Sequence, residues 1–152
     1  MIESKSFRIT NKDFFQLLME RHLRERWWLY ALFISMAVFH GLKPNKIELD
    51  WFFLIFFIFY PLVFVLQIYR HAYSKANKIF FEERYFQIDT KSIKAFMKNG
   101  SESTVTFDNL IKKGELKTYF LLYIAKNQFI FIPKSCFKSE QDKAWFVQNV
   151  MK

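Results

Sequence analysis

The stretch WFFLIFFIFYPLVFVLQIY, residues 51–69, decides the fold of this chain. Its 19 residues include no acidic or basic side chain, whereas a helix on the surface of a soluble protein keeps a polar stripe. As an α-helix the stretch would be roughly 28 Å long, close to the thickness of the hydrocarbon core of a bilayer. We therefore predict that residues 51–69 span a membrane, with a kink near Phe57 because Pro61 removes one helical hydrogen bond.

Another apolar stretch, WWLYALFISMAVFHGL, covers residues 27–42, and eight residues separate it from residues 51–69. As a helix it would be roughly 24 Å long, which is short for a span. Arg26 and Lys43 can extend their charged ends toward the headgroups, and a bilayer can thin locally. We predict a transmembrane hairpin over residues 27–69. The alternative is a soluble helical hairpin, but a domain this small could hardly cover both helices on all faces.

Aromatic side chains mark the ends of the two apolar stretches. Indole and phenol rings prefer the boundary between membrane and water. The predicted membrane-interface residues are Trp27, Trp28, Trp51 and Tyr69. The alternative for these four residues is a place in an ordinary aromatic core.

The charge distribution predicts the orientation. Of the total charge of +9, the residues before the hairpin carry +2, the link between Lys43 and Asp50 carries 0, and residue 70 onward carries +7. Because basic residues prefer the cytoplasmic side, we expect both termini in the cytoplasm, the link outside, and the protein in the inner membrane. The residues expected to contact anionic lipid are Arg21, Arg24, Arg26, Arg70, Lys75 and Lys78.

The segment before the hairpin, residues 1–26, contains a helix start. Thr10 and Asp13 have the spacing of a capping box, and the helix after them carries apolar residues on part of one face. It could lie along the membrane surface or simply form a solvated, charged approach to the first span. Residues 70–78 are predicted to be a basic linker.

From residue 79 onward the pattern changes to short strands separated by turns. Six strands are predicted, with hairpin turns at Asn99-Gly100 and around Lys126-Asn127 and a possible bulge at Gly114. Ser139 begins a second capping box and a C-terminal helix. The predicted fold class is an α+β membrane protein, with a transmembrane helical hairpin followed by a small C-terminal antiparallel β domain, residues 79–152. A curved sheet capped by a C-terminal helix is also the plan of pleckstrin-homology-like domains.

The run VTFDNLIKKGELKTYFLLYIAKNQFIFIPKSCFKSEQD, which begins at Val105, resembles the C-terminal domain of YcxB-like proteins. The resemblance rests on an ordered series of short motifs: Phe107-Asp108-Asn109-Leu110, Glu115-Leu116-Lys117, Tyr119 to Tyr123, Ile132-Pro133-Lys134, Phe137 and Ser139-Glu140. The family also has a segment like Thr10 to Phe15 and a pair of membrane helices before this domain. The resemblance implies this architecture and no particular activity.

Motifs for catalysis and cofactor binding are missing from the sequence. Only three glycines occur, Gly41, Gly100 and Gly114, and they are not grouped into a phosphate-binding loop. The three histidines lack the spacing of metal ligands, and the single cysteine, Cys136, excludes an internal disulfide. We predict no catalytic, cofactor-binding or metal-binding residues. Nucleic-acid binding is not expected, because the lysines are spread through the tail and a domain at an anionic membrane is basic anyway.

Three functions remain open. The first is a non-enzymatic, membrane-anchored module whose β domain binds a protein, a peptide or a lipid headgroup at the inner face. The second is an immunity protein that protects the membrane against a toxin, which would then be its partner. The third is a subunit of a transporter or channel, which is disfavoured because the apolar stretches lack charges within the membrane.

Overall fold

A computed structural model describes residues 1–126 and 128–152. The chain divides into two compact units: a helical unit of residues 11–77, and a β unit that combines residues 1–10 with residues 78–152. Together they contain helices, two small antiparallel sheets and a C-terminal helix. The predicted α+β class is therefore confirmed.

The helical unit consists of two long helices, α1 (Asn11–Leu42) and α2 (Glu48–Ala72). Ring contacts along their whole length show that they run antiparallel: centroid distances are 5.9 Å for Phe15–Tyr69, 5.7 Å for His22–Phe64 and 5.9 Å for Phe33–Phe57. The helix α1 begins directly after Thr10, as the capping pattern predicts. The helix α2 continues through Pro61.

One residue divides α1 into two halves. Arg26 leaves helical geometry, with φ −131° and ψ 21°. The change occurs where the amphipathic segment meets the predicted first span at Trp27. Each half of α1 therefore corresponds to one of the two segments that the sequence distinguishes.

Within the residues that the structure describes, the β unit contains seven strands in two antiparallel sheets. The first sheet has the order β1-β2-β3-β4 and the second has the order β5-β6-β7. The strands are β1 Ile2–Glu3, β2 Arg84–Ile88, β3 Ser92–Met97, β4 Glu102–Thr106, β5 Lys112–Glu115, β6 Tyr119–Ala125 and β7 Gln128–Pro133.

All six predicted strand segments contain a strand, and two details differ from the sequence prediction. The first predicted segment yields a shorter strand, because residues Lys75–Phe81 form a 3₁₀ helix. The irregular register lies between Tyr123 and Ala125 rather than at Gly114. Asn127, the second residue of the predicted turn before β7, lies outside the described residues.

The turn between β3 and β4 follows the Asn99-Gly100 pattern. Met97 N donates to Ser101 O at 2.9 Å and Gly100 N donates to Met97 O at 3.0 Å. Gly100 has φ +83°, which a side chain with a Cβ atom would make unfavourable. The glycine thereby closes the hairpin and sets the register of β4 against β3.

The strand that sequence analysis does not reveal is β1. Ile2 pairs with Ile88 and Glu3 with Gln87, so residues before α1 join a sheet built from residues after α2. Ser4 extends the contact: its N–H donates to Phe86 O and its Oγ accepts from Phe86 N, both at 2.8 Å. Lys5 N donates to Cys136 O at 2.7 Å. The β unit is therefore assembled from both ends of the chain.

The core of the β unit lies between the sheets and the C-terminal helix α3 (Glu140–Phe146). Phe146 is fully buried, and its ring makes tilted contacts with the rings of Phe120 and Phe137 at centroid distances of 5.2 and 5.3 Å. Ser139 caps α3 through its Oγ, which accepts from Asp142 N at 3.1 Å, so the predicted cap is confirmed. A π-helical turn, Val147–Met151, follows α3 and buries Val150 in the same core.

Replacing Ser4 with alanine tests whether β1 contributes to the stability of the β unit. The Ser4→Ala variant leaves the buried N–H of Phe86 without its acceptor, which costs about 1–3 kcal/mol. Ser6→Ala is the matched control: the Ser6 hydroxyl donates to Glu83 at 2.9 Å, but both groups are accessible to water, so its loss leaves no buried group unpaired and costs less. Chemical denaturation of the full chain in detergent gives both values, and equal values would contradict the role of β1.

Candidate functional site

A polar cluster around one buried carboxylate connects the ends of α1 and α2 at the link between them. The carboxylate of Asp50 is its centre, although Asp50 is only 3% exposed. It accepts hydrogen bonds from His40 Nδ1 at 2.7 Å, from Lys43 Nζ at 2.6 Å and from Ile47 N at 3.2 Å. A buried carboxylate needs such partners, and here they come from the end of α1 and from the link.

The ring of His40 is held in place by aromatic neighbours. Its centroid lies 5.3 Å from that of Phe39, 5.2 Å from that of Phe53 and 6.1 Å from that of Phe57. The imidazole therefore has one polar partner, Asp50, within an apolar surround. In the sequence, His40 is an isolated histidine and Asp50 is one of four charged residues in the link. His40 lies just before the end of α1 and Asp50 lies just after the start of α2. These positions on either side of the link are the signal that could have predicted their contact.

The four predicted membrane-interface residues are all exposed: Trp27 by 68%, Trp28 by 56%, Trp51 by 53% and Tyr69 by 47%. Trp27 and Tyr69 do not lie at the same position along the axis of the helix pair. Tyr69 contacts Phe15, and Trp27 comes 12 residues after Phe15, which is roughly 18 Å along a helix. The C-terminal part of α2 thus extends past the level of Trp27, where the span in α1 is predicted to start.

The six predicted lipid-contact residues lie at different levels as well. Arg70 precedes His71, whose ring contacts Phe14 at the start of α1, whereas Arg21 lies seven residues further along α1 and forms an ion pair with Glu25 at 3.6 Å. Arg24, Arg26, Arg70, Lys75 and Lys78 are exposed. Arg70 is thus separated along the helix pair from the arginines of α1. Lys78 belongs to the β unit.

The outward faces of the helical unit are apolar. Of the residues that the structure describes, one helix is long and apolar enough to cross a membrane, and it is α2. Its exposed side chains include Phe52, Ile55, Ile58, Phe59 and Leu62. The second half of α1 also exposes apolar side chains, including Ile34, Val38 and Phe39. An apolar surface of this extent on a helix pair marks contact with lipid or with another protein.

The β unit holds its charged groups in local pairs. Glu3 accepts from Lys138 Nζ at 2.5 Å, and this hydrogen bond lowers the pKa of Glu3. Lys134 pairs with Glu115 at 2.6 Å. Two backbone N–H groups, those of Lys91 and Ser92, lower the pKa of Asp89. Lys134 and Lys138 therefore each have a carboxylate partner.

Two buried groups of the β unit serve its packing. Arg84 is 8% exposed, and its guanidinium donates to the carbonyl oxygens of Ile79 and Glu82 and lies over the ring of Phe131; burial lowers the pKa of Arg84. Burial raises the pKa of Cys136 to about 12. A thiol with such a pKa supplies almost no thiolate at neutral pH. Among the described residues, no group of three histidine, cysteine, aspartate or glutamate side chains could hold a metal ion.

Comparison with known families gives one match. The family model described as YcxB-like protein matches residues 81–148, which run from just before β2 to just after α3. This match supports the family assignment that the order of motifs predicts. No curated protein and no solved structure matches the chain significantly.

Replacing Asp50 with asparagine tests the cluster at the link. Asp50→Asn removes the charge that Lys43 and His40 share, so the ends of α1 and α2 lose their ionic connection and the thermal midpoint of the helical unit falls. Glu48→Gln is the matched control, because Glu48 is an exposed acid in the same first turn of α2. Thermal melts followed by circular dichroism in detergent compare the two variants. Identical midpoints would show that the cluster does not stabilise the link.

Proposed function

Because residues 81–148 are a YcxB-like domain, we propose that the chain is a non-enzymatic protein anchored in the inner membrane by two spans. In this proposal α1 and α2 form the transmembrane hairpin, both termini lie in the cytoplasm, and the β unit is a pleckstrin-homology-like domain at the inner face. That domain binds a protein partner or a lipid headgroup. The non-enzymatic part of the proposal rests on the missing catalytic motifs in the sequence.

The observation that carries the proposal is the pairing of β1 with β2. Ile2 precedes α1 and Ile88 follows α2, yet the two residues are partners in one sheet. In this proposal the pairing keeps Ile2 and Ile88 on the same side of the membrane, so the segment between them crosses it an even number of times. If α2 crosses, α1 has to bring the chain back. This argument supports a second span in α1 although its apolar half is only 16 residues long.

The short length of the α1 span is compatible with the charges beside it. Arg26 and Lys43 flank the apolar half, and their long side chains can extend toward the two headgroup regions. The first half of α1 packs beside the last third of α2, from Phe64 to Tyr69. Its basic side chains would then lie at the inner surface, where anionic lipids attract them by about 1 kcal/mol each.

The cluster around Asp50 supports the placement of the link at the outer surface. The link between Lys43 and Asp50 has a formal charge of 0, and the carboxylate of Asp50 is neutralised by Lys43 at 2.6 Å. A loop with little excess positive charge is translocated more readily than a basic one. The basic excess lies instead in the segments that the proposal keeps in the cytoplasm.

The layout of the β unit supports the pleckstrin-homology-like plan. Four antiparallel strands are followed by three antiparallel strands and then by α3, whose Phe146 fills the core. Fold-level similarity of this kind does not identify a ligand.

Carbonate extraction of membranes tests the anchoring, with two arginine substitutions as matched variants. The wild-type chain stays in the pellet. Ile58→Arg places a charge on an exposed position in the middle of α2 and costs about 2.5–3.5 kcal/mol of insertion free energy, so the pellet fraction falls. Leu49→Arg changes an equally exposed residue of the link and leaves the pellet fraction unchanged. Release of the wild-type chain into the supernatant would contradict the proposal.

A further inference from the structure

The ring contacts between α1 and α2 show where Arg26 lies along α2. The ring of His22 lies 5.7 Å from that of Phe64, and the ring of Phe33 lies 5.6 Å from that of Tyr60. Because Arg26 lies between His22 and Phe33 on α1, it lies beside the part of α2 between Tyr60 and Phe64. We call this position along the helix pair the Arg26 level. It falls inside the apolar stretch of α2, several residues before the end of that stretch.

The exposed side chains of the helical unit change character at the Arg26 level. Between the link and this level, residues 27–42 of α1 contain no lysine, arginine, aspartate or glutamate, and the exposed side chains among residues 51–60 of α2 are all apolar or aromatic. At and beyond the level, α1 exposes Arg24, Glu25 and Arg26 within one turn. Charged side chains are costly inside the hydrocarbon of a bilayer, so this turn is a natural limit for a hydrocarbon layer around the hairpin.

Two tryptophans lie at the same level. Trp27 and Trp28 directly follow Arg26 and are 68% and 56% exposed. Indole rings prefer the boundary between membrane and water, and Trp51 occupies the corresponding place near the link. The residues between these aromatic ends, 27–42 in α1, form a helix roughly 24 Å long. Local thinning of the bilayer accommodates a span of this length.

We propose that the inner surface of the hydrocarbon crosses the helical unit at the Arg26 level, and that the part of the unit beyond this level is a contact surface for anionic lipid headgroups. The helix α2 then leaves the hydrocarbon near Pro61, and the last part of its apolar stretch, residues 62–69, lies outside. This inference rests on the proposed function, because it requires the hairpin to be in the inner membrane.

The headgroup layer matches the basic end of this part of α1 in thickness and in charge. A bilayer about 40–45 Å thick with a hydrocarbon core of about 30 Å has roughly 5–8 Å of headgroups on each side. The segment from Arg21 to Arg26 is roughly 8 Å long as a helix. Arg24 and Arg26 are exposed at its end nearest the hydrocarbon, and a guanidinium group can bind a phosphate through two parallel N–H bonds. Arg21 pairs with the one acid of the segment, Glu25, at 3.6 Å.

The outside of α2 beyond Pro61 is mixed rather than uniformly apolar. Its exposed side chains include Gln67 and Arg70 as well as Leu66 and Tyr69. Leu66 lies roughly 8 Å past Pro61 along the helix, which places it within the headgroup layer. Apolar side chains beside basic ones are typical of helices at this boundary.

Spin-label depth measurements along α2 test where the hydrocarbon ends. The full chain carries a nitroxide at Ile55→Cys, Leu66→Cys or Arg70→Cys in vesicles of mixed neutral and anionic phospholipid. Ile55 and Leu66 are a matched pair, 55% and 58% exposed. Oxygen concentrates in hydrocarbon and a nickel chelate stays in water, so their relative access to the nitroxide reports its depth. We expect oxygen access to dominate at position 55, and nickel access at position 66 to be close to that at position 70. Cys136 is buried with a pKa of about 12, so the wild-type chain gives the background.

Removing two arginines tests the contact with headgroups. In the Leu66→Cys chain, Arg24→Gln together with Arg26→Gln removes the charges that hold this turn outside the hydrocarbon. Residues 62–69 can then enter the hydrocarbon, and the label at position 66 is expected to shift toward oxygen access. Lys12→Gln is the control: Lys12 is also exposed, but it lies roughly 21 Å from Arg26 along α1, so no shift is expected.

The possible failures are distinguishable. A label at position 66 that is as deep as the label at position 55 would place residues 62–69 in the hydrocarbon and overturn this inference, while the proposed anchoring would stand. High nickel access at position 55 would contradict the anchoring itself. No shift with the double arginine variant, or an equal shift with Lys12→Gln, would contradict the contact between the arginines and the headgroups.

Discussion

The pairing of β1 with β2 is the constraint on which the rest of the account depends. Two residues, Ile2 and Glu3, form the ladder, and Ser4 adds a reciprocal pair of hydrogen bonds to Phe86. This small contact makes the helical unit an insertion within a β unit rather than a leader before it. It also restricts the topologies open to the chain, because a sheet cannot form across a bilayer. The interpretation of the apolar helices, the basic flanks and the neutral link depends on that restriction.

The parts of the fold that follow from local chemistry could be predicted from the sequence. The continuous apolar run of residues 51–69, the glycine at position 100 and the serine at position 139 each act within a few neighbouring residues. These three features predicted α2, the β3–β4 turn and the start of α3, respectively. The order of short motifs after Val105 gave the family, which the match over residues 81–148 supports.

The parts that depend on contacts between distant residues could not be predicted in this way. The segment before α1 contains too few apolar residues to signal a strand, and β1 exists only because Ile88 and Cys136 offer partners far along the chain. The cluster of His40, Lys43 and Asp50 likewise requires the antiparallel register of α1 and α2. The same register separates Trp27 from Tyr69, although each lies at the end of an apolar stretch. Sequence spacing predicts where each helix ends, but it does not predict how far one helix is shifted along the other.

The central claim is that both ends of the chain lie on one side of the membrane and the link lies on the other. Single cysteines at Ser6, Asn45 and Asn99, all exposed positions, test it most directly when intact cells are treated with a membrane-impermeant thiol reagent. The account predicts that the cysteine at position 45 reacts in intact cells, and that those at positions 6 and 99 react only after the membrane is permeabilised. Different accessibility at positions 6 and 99 would contradict the shared sheet, and a protected cysteine at position 45 would contradict the two-span hairpin.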